Sequence, residues 1–247
     1  HCSRDSLAPQ HNCGVSGHQN PAQTGGKPAL GASATKYAEM AIDADNTFYN
    51  RNGSNVASTE AKVLTIMNGV DIIYNRDVDI EHLLTAIIVR TTKVYSSSTS
   101  LNTLLVEMRN RWNANHGDIS RDVAHLFTGA GTFSGTVGLA YVSVVCHPTY
   151  HYGSNKAFHP SLSTNVGLVA HEAGHNWGSG HCSGSSCYIM CGGLGGCGRD
   201  LTKFSSGVQS AITNFANGKT CLNAPSATST AKGRGCIYKG TAPSFKV

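Results

Sequence analysis

The residues best placed to do chemistry lie in one short run, His171-Glu172-Ala173-Gly174-His175-Asn176-Trp177-Gly178-Ser179-Gly180-His181. Two histidines four positions apart on a helix stand one above the other on the same face. Imidazoles so placed can share one metal ion, with zinc–nitrogen bonds of about 2.0–2.1 Å. Glu172 follows the first histidine and so projects beside the ion. A carboxylate there suits a general base working on water that the metal activates. Gly178 is free to adopt positive φ and end the helix. The chain then turns back, and His181 supplies a third nitrogen. Three protein ligands leave one position open, which is the catalytic arrangement of Zn²⁺ and not the closed set of four of a structural site.

Those side chains need a helix, a reversal and a scaffold. The helix is expected from about Thr164 to Trp177. Upstream, the pattern alternates strand and helix. Lys36–Asp43 reads as a strand. Ser58–Tyr74 reads as a helix, because Val63, Met67, Val70 and Tyr74 recur at helical spacing behind a Ser/Thr cap. Leu83–Val89 is a continuous apolar run with β-branched residues, hence a buried strand. Leu101, Leu104, Leu105, Met108 and Trp112 mark a second amphipathic helix. Val123–Thr128 and Val137–Cys146 are further strands. This alternation predicts a mostly parallel sheet covered by helices, in an α/β (α+β) domain. Residues 178–199 are rich in Gly and Cys and read as an irregular, disulfide-stapled lower part. Phe204–Phe215 is expected to form a last helix. The expected boundaries are a leader or residual pro-segment at 1–35, a catalytic unit at 36–223 and an extended tail at 224–247.

Composition sets the wider limits. With 247 residues, 40% apolar and only 13% charged, the chain can bury a sizeable core, and wholesale disorder is excluded. No apolar run approaches the length of about 18 residues that a membrane helix needs. The net charge of +5 comes from scattered basic residues, not from a block with interleaved aromatics, so no nucleic-acid partner is expected. The expected partner is a protein or peptide substrate, and the expected state is a monomer. The chain opens at His1 and reads as a processed product. Nine cysteines in such a chain point to an oxidising compartment, hence to a secreted protein, and their odd number leaves at least one thiol unpaired within a monomer.

The run from His171 to His181 resembles the zinc signature of the metzincin proteases, and its context resembles the ADAM/adamalysin (reprolysin-like) branch. Gly138-Leu139-Ala140-Tyr141-Val142, followed by Cys146 and Pro148, is similar to that branch's edge strand and its exit. Cys187-Tyr188-Ile189-Met190 is similar to the Cys-x-Ile-Met of its Met-turn. The likeness runs loosely from about Lys36 to Asn223. It implies an upper lobe with a five-stranded sheet, four strands parallel and the edge strand antiparallel, above a smaller irregular lobe. It implies endopeptidase activity with His171, His175 and His181 on zinc, Glu172 as base and Met190 as the floor beneath the metal. It also implies a substrate lying antiparallel to Gly138, Leu139, Ala140 and Tyr141. One position departs from the pattern: Cys182 follows the third histidine, where snake-venom members usually carry Asp. The alternative function is a catalytically silent, metal-bound homologue that binds protein or glycan; the intact Glu172 favours the enzyme.

Cys182–Cys187 and Cys191–Cys197 are short-loop pairs able to staple the Gly-rich segment, and the resemblance implies Cys146–Cys221. Spacing alone does not fix connectivity. Asn12-Cys13-Gly14-Val15 resembles the Cys-Gly-Val core of the cysteine switch of metalloprotease pro-segments. A Cys13 thiolate on the open zinc position would hold the enzyme latent, with Cys2–Cys236 tying leader to tail. Alternatively, Cys13 forms a disulfide and Cys2 or Cys236 is the odd one out. The resemblance further implies a Ca²⁺ site from Glu39, Asp122, the carbonyl of Cys221 and Asn223, whose oxygens are the right type. The plain reading of Glu39 and Asp122 is two solvated surface acids.

Overall fold

In a computed structural model, residues 36–194, Cys197, residues 200–222 and the backbone of 238–240 are described. Cys2, Cys13, Asn223 and Cys236, and with them the leader and most of the tail, lie outside the described residues.

Each helix starts where a short polar side chain accepts a hydrogen bond from an otherwise unpaired amide of the first turn. Asp45 caps α1 (Asn46–Arg51) through the Phe48 amide, and Asn55 caps α2 (Val56–Val78) through the Ser58 amide. Ser100 caps α3 (Leu101–Asn115), Ser161 caps α4 (Leu162–Asn176) and Ser205 caps α5 (Ser206–Asn217). The strands are β1 (Lys36–Ala44), β2 (Ile80–Val89), β3 (Val123–Phe127), β4 (Gly138–Ala140) and β5 (Tyr152–Asn155). A further short strand, β6 (Tyr238–Gly240), comes from the tail.

The sheet order is β4-β5-β3-β1-β2-β6. Strands β5, β3, β1, β2 and β6 run parallel, and β4 pairs antiparallel with β5. The expected five strands with one antiparallel edge are therefore present, and β6 adds a sixth beside β2. Both faces are covered, as a parallel sheet requires. One core joins the sheet to α2, α4 and α5, and includes Val63, Met67, Val70, Val169, Ala173, Met190 and Ile212. The other packs α3 on the opposite face through Leu101, Leu104, Leu105, Met108 and Trp112. Fully buried Asp43 locks that second layer. It accepts from Arg90 Nε (2.9 Å) and Nη2 (2.7 Å), and from Tyr95 Oη and Trp112 Nε1 (both 2.7 Å).

Three sequence expectations need correction. The strand at Val137–Cys146 shrinks to Gly138–Ala140, because Ser143 and Cys146 adopt positive φ (60° and 62°) and the chain leaves the sheet. Its loop is tied to the end of α4 by Ser143 N–H to His175 O and Val144 N–H to Asn176 O, both 2.9 Å. Strand β5 escaped the sequence pattern: Tyr-Gly-Ser-Asn lacks β-branched residues, yet all four are buried. Helix α2 extends beyond Ser58–Tyr74 at both ends, from the Asn55 cap to left-handed Asp79.

Candidate metal centre and active site

Helix α4 carries His171 and His175 on one face and ends at Asn176. Gly178 follows with φ +88°, and its amide donates to His175 O (2.9 Å), so the chain reverses as the glycine predicts. His181 then returns to the helix. The three Nε2 atoms form a nearly equilateral triangle: 3.2 Å from His171 to His175, and 3.1 Å from each of these to His181.

These short contacts are not hydrogen bonds. His171 Nδ1 lies 2.6 Å from Ile189 O, and His175 Nδ1 lies 2.8 Å from Ser179 O. A carbonyl only accepts, so each Nδ1 carries the proton and each Nε2 presents a bare lone pair. Burial pushes His171 down to about 4 and also lowers His175. Both rings are therefore neutral at pH 7, the form that ligates a metal. Lone pairs aimed at one point repel unless a cation sits between them. Two nitrogens about 2.05 Å from one zinc at the tetrahedral angle lie about 3.3 Å apart, close to the observed edges. The donor set and its spacing fit Zn²⁺.

The support beneath is the segment expected to be the Met-turn. Met190 is fully buried under α4; a Cβ at Gly174 would come within 2.6 Å of its Sδ. The same turn supplies the Ile189 carbonyl that orients His171. Cys182, the position that departs from the resemblance, is tied to Cys187 in a disulfide, and its amide donates to Met190 O (3.0 Å). The Cys191–Cys197 and Cys146–Cys221 bridges are also formed.

Glu172 is 4% exposed, and burial raises it to about 8. A divalent ion beside it counters that by favouring the carboxylate. Its side chain lies against the edge strand. A Cβ at Gly138 would stand 2.1 Å from Glu172 Oε1 and 2.6 Å from Cδ. The glycine that opens β4 thus makes room for the carboxylate.

The family is settled by comparison with known proteins. The family model for the reprolysin group, metallo-peptidase family M12, matches residues 34–234. The chain belongs to that family. This M12 chain is 32% identical over 167 residues to the snake venom metalloproteinase fibrolase of Macrovipera lebetinus, covering 66% of this chain and 79% of the venom protein. Trimerelysin-2, a snake venom metalloproteinase of Protobothrops flavoviridis, is 25% identical over 154 residues, 62% of this chain and 76% of its own length. Human disintegrin and metalloproteinase domain-containing protein 9 is 25% identical over 207 residues; the match spans 77% of this chain but only 24% of that protein. A chain in a solved chaperone–substrate complex shares the fold at a TM-score of 0.55 and 13% identity, over 77% of this chain and 35% of that one. The M12 domain is a zinc metalloendopeptidase with protein substrates.

The remaining sequence-derived positions fall in two places. Leu139, Ala140 and Tyr141 follow Gly138 along β4 and its exit, beside the metal centre. Glu39 and Asp122 meet at the far end of β1 and β3, where the Glu39 amide donates to Asp122 Oδ2 (2.8 Å) and Ser120 Oγ donates to Glu39 Oε2. Burial, reinforced by the Glu39 charge, raises Asp122 to about 6. Cys146 and Cys221 are adjacent, but their sulfurs are joined and offer no thiolate.

The sequence reading missed Asn176. Its Nδ2 donates to the carbonyls of Tyr141 (2.8 Å) and Tyr152 (3.1 Å), and its Oδ1 accepts from His125 Nε2 (2.7 Å). One amide thus couples the metal helix to the edge strand, its neighbour β5 and the sheet interior. The signal was its place directly after His175; its partners lie 24–51 residues away in sequence.

Proposed function

We propose that this M12 metalloendopeptidase is a secreted enzyme that binds its substrate as an added strand along Gly138–Tyr141 and cuts it with Glu172 as base. The observation that carries the reading is the packing of Glu172 on Gly138, next to three converged Nε2 atoms. Strand β4 stands at the sheet edge, and its outer side can pair with an extended peptide. Such pairing grips the main chain of many sequences, so side-chain preference must come from pockets. His171, His175 and His181 would hold Zn²⁺, which would supply Lewis acidity toward the scissile carbonyl and toward water near neutral pH. Glu172 removes a proton from the attacking water at its carboxylate and returns it to the leaving amine nitrogen. The Ile189 and Ser179 carbonyls hold two of the imidazoles in place throughout.

Glu172→Gln tests this directly. The variant should keep its zinc and lose about 10²- to 10⁴-fold in casein cleavage; wild-type activity in the variant would remove Glu172 from the mechanism. A domain that binds protein or glycan without cutting would show no cleavage in the wild type either.

Two regulatory readings accompany it. Cys13 occupies the open zinc position in a latent form, supported by the Cys-Gly-Val sequence around it. Glu39, Asp122, the Cys221 carbonyl and Asn223 hold Ca²⁺; the support is the partly buried Asp122 carboxyl, raised by burial and by the Glu39 charge, which a cation would relieve.

A further inference from the structure

Lys156 follows β5 directly, and its amide donates to Val137 O (2.8 Å), so it stands opposite the residue that leads into β4. The residue is only 5% exposed, although its side chain is a lysine's. The ammonium has three protons to donate and gives one to Thr132 O (3.0 Å). Among the described residues no carboxylate pairs with it. A buried cation without a counter-ion is costly, and here it lines a cavity of about 450 Å³.

The other walls favour negative charge as well. Residues 99–102 and 129–137 contain no Asp or Glu. The first turn of α3 has no acidic residue, so the positive end of a 15-residue helix is not neutralised by its own sequence. Ser100 and Thr136 line the same space, together with Leu139 of the edge strand. The cavity therefore touches the strand along which the substrate is proposed to lie.

We propose that this cavity is a subsite for an acidic substrate side chain, with Lys156 as its recognition group. The position of that side chain follows from strand direction. A peptide antiparallel to β4 passes Tyr141 and Ala140 first, then Gly138, then Thr136. Glu172 packs at Gly138, so the bond to be cut lies near that level. The residue that reaches Lys156 comes after it, on the carboxyl side. This inference rests on the substrate-strand reading given above.

Fluorogenic peptide pairs test it on the zinc-loaded full chain. The peptides differ only by Glu or Gln at each of the first three positions after the cleaved bond. All are amidated, so the only carboxylate varied belongs to a side chain, and mass spectrometry confirms the bond cut. The wild type should favour Glu over Gln by about tenfold in kcat/KM at one of the positions, the scale of one charge-assisted hydrogen bond. The ratio should fall to near one in Lys156→Met. It should also fall in Thr136→Asp, an exposed position where a new carboxylate competes for Lys156 while the core is untouched; this variant carries the test if Lys156→Met fails to fold. No Glu preference in the wild type, or a preference that survives in a folded variant of either kind, overturns the subsite. Cleavage without acid preference removes the subsite alone. Failure to cleave any of the peptides, after a mercurial has released Cys13 from the full chain, removes the substrate-strand reading and the subsite with it.

Discussion

Gly138→Ala adds a single methyl group at the point where the edge strand meets the Glu172 carboxylate, the proposed base. The new Cβ would lie 2.1 Å from Glu172 Oε1, 2.6 Å from Cδ and 2.7 Å from Cγ. Ordinary contact needs about 3.4 Å or more, so the carboxylate must retreat by roughly 1 Å. Misplacing a catalytic group by that distance costs on the order of 10²-fold in rate. The backbone at Gly138 does not have positive φ, so alanine is tolerated there. The clash is with the far end of a side chain, and the alanine restricts the unfolded chain by about 0.4–1 kcal/mol. Stability should therefore change by less than about 1 kcal/mol. The three atoms nearest the new methyl group all belong to Glu172 and none to a histidine, so zinc content should stay at the wild-type level. The assay is kcat/KM on a peptide substrate, with zinc content and melting temperature measured on the same preparations. Activity within twofold of wild type would refute the claim that Gly138 positions Glu172. Loss of zinc or of fold would refute the claim that the effect is confined to the carboxylate.

Other outcomes follow from the same physical arguments. His82 is buried and held at about 3 by desolvation, with Nε2 accepting from Trp177 Nε1 (3.2 Å). Its folded pKa lies below the unfolded value, so the unfolded chain binds more protons between about pH 3 and 6.5. The neutral ring's contribution is therefore complete above pH 6.5 and is lost as pH falls through that window. At pH 5 the shortfall is about 2 kcal/mol, and His82→Gln should reduce the loss of stability between pH 7.5 and 5.0 by about that amount in denaturant titrations; an unchanged pH dependence would contradict it. If Cys13 blocks the zinc, a mercurial or removal of residues 1–20 should raise activity, and unchanged activity rejects the latent form. Ca²⁺ added to chelated protein should raise the melting temperature in the wild type and not in Asp122→Asn; no rise in the wild type removes the calcium site.

The metal centre was legible because its parts are close in sequence. His171, Glu172 and His175 need only helical geometry, and Gly178 signals the reversal that returns His181. The covering helices were legible through their periodic apolar faces, as with Leu101, Leu104, Leu105, Met108 and Trp112 on α3. Strand β5 was not, because its burial comes from packing between β3 and β4, not from its own residue types. Nor was the brevity of β4, since nothing in Val137–Cys146 announces positive φ at Ser143 and Cys146. The Asn176 bonds to Tyr141, Tyr152 and His125 and the cavity at Lys156 depend on long-range contacts that no local pattern encodes. The Cys146–Cys221 bridge came from family resemblance; spacing left it open.

The central claim is that three imidazoles and one carboxylate form a zinc-dependent protease site. Titrating zinc into metal-free protein while recording casein cleavage tests both halves together. Activity should be absent without metal, rise in proportion to zinc and level off at one equivalent per chain. Full cleavage by the metal-free protein, or none after one equivalent has bound and the leader has been removed, would contradict the account.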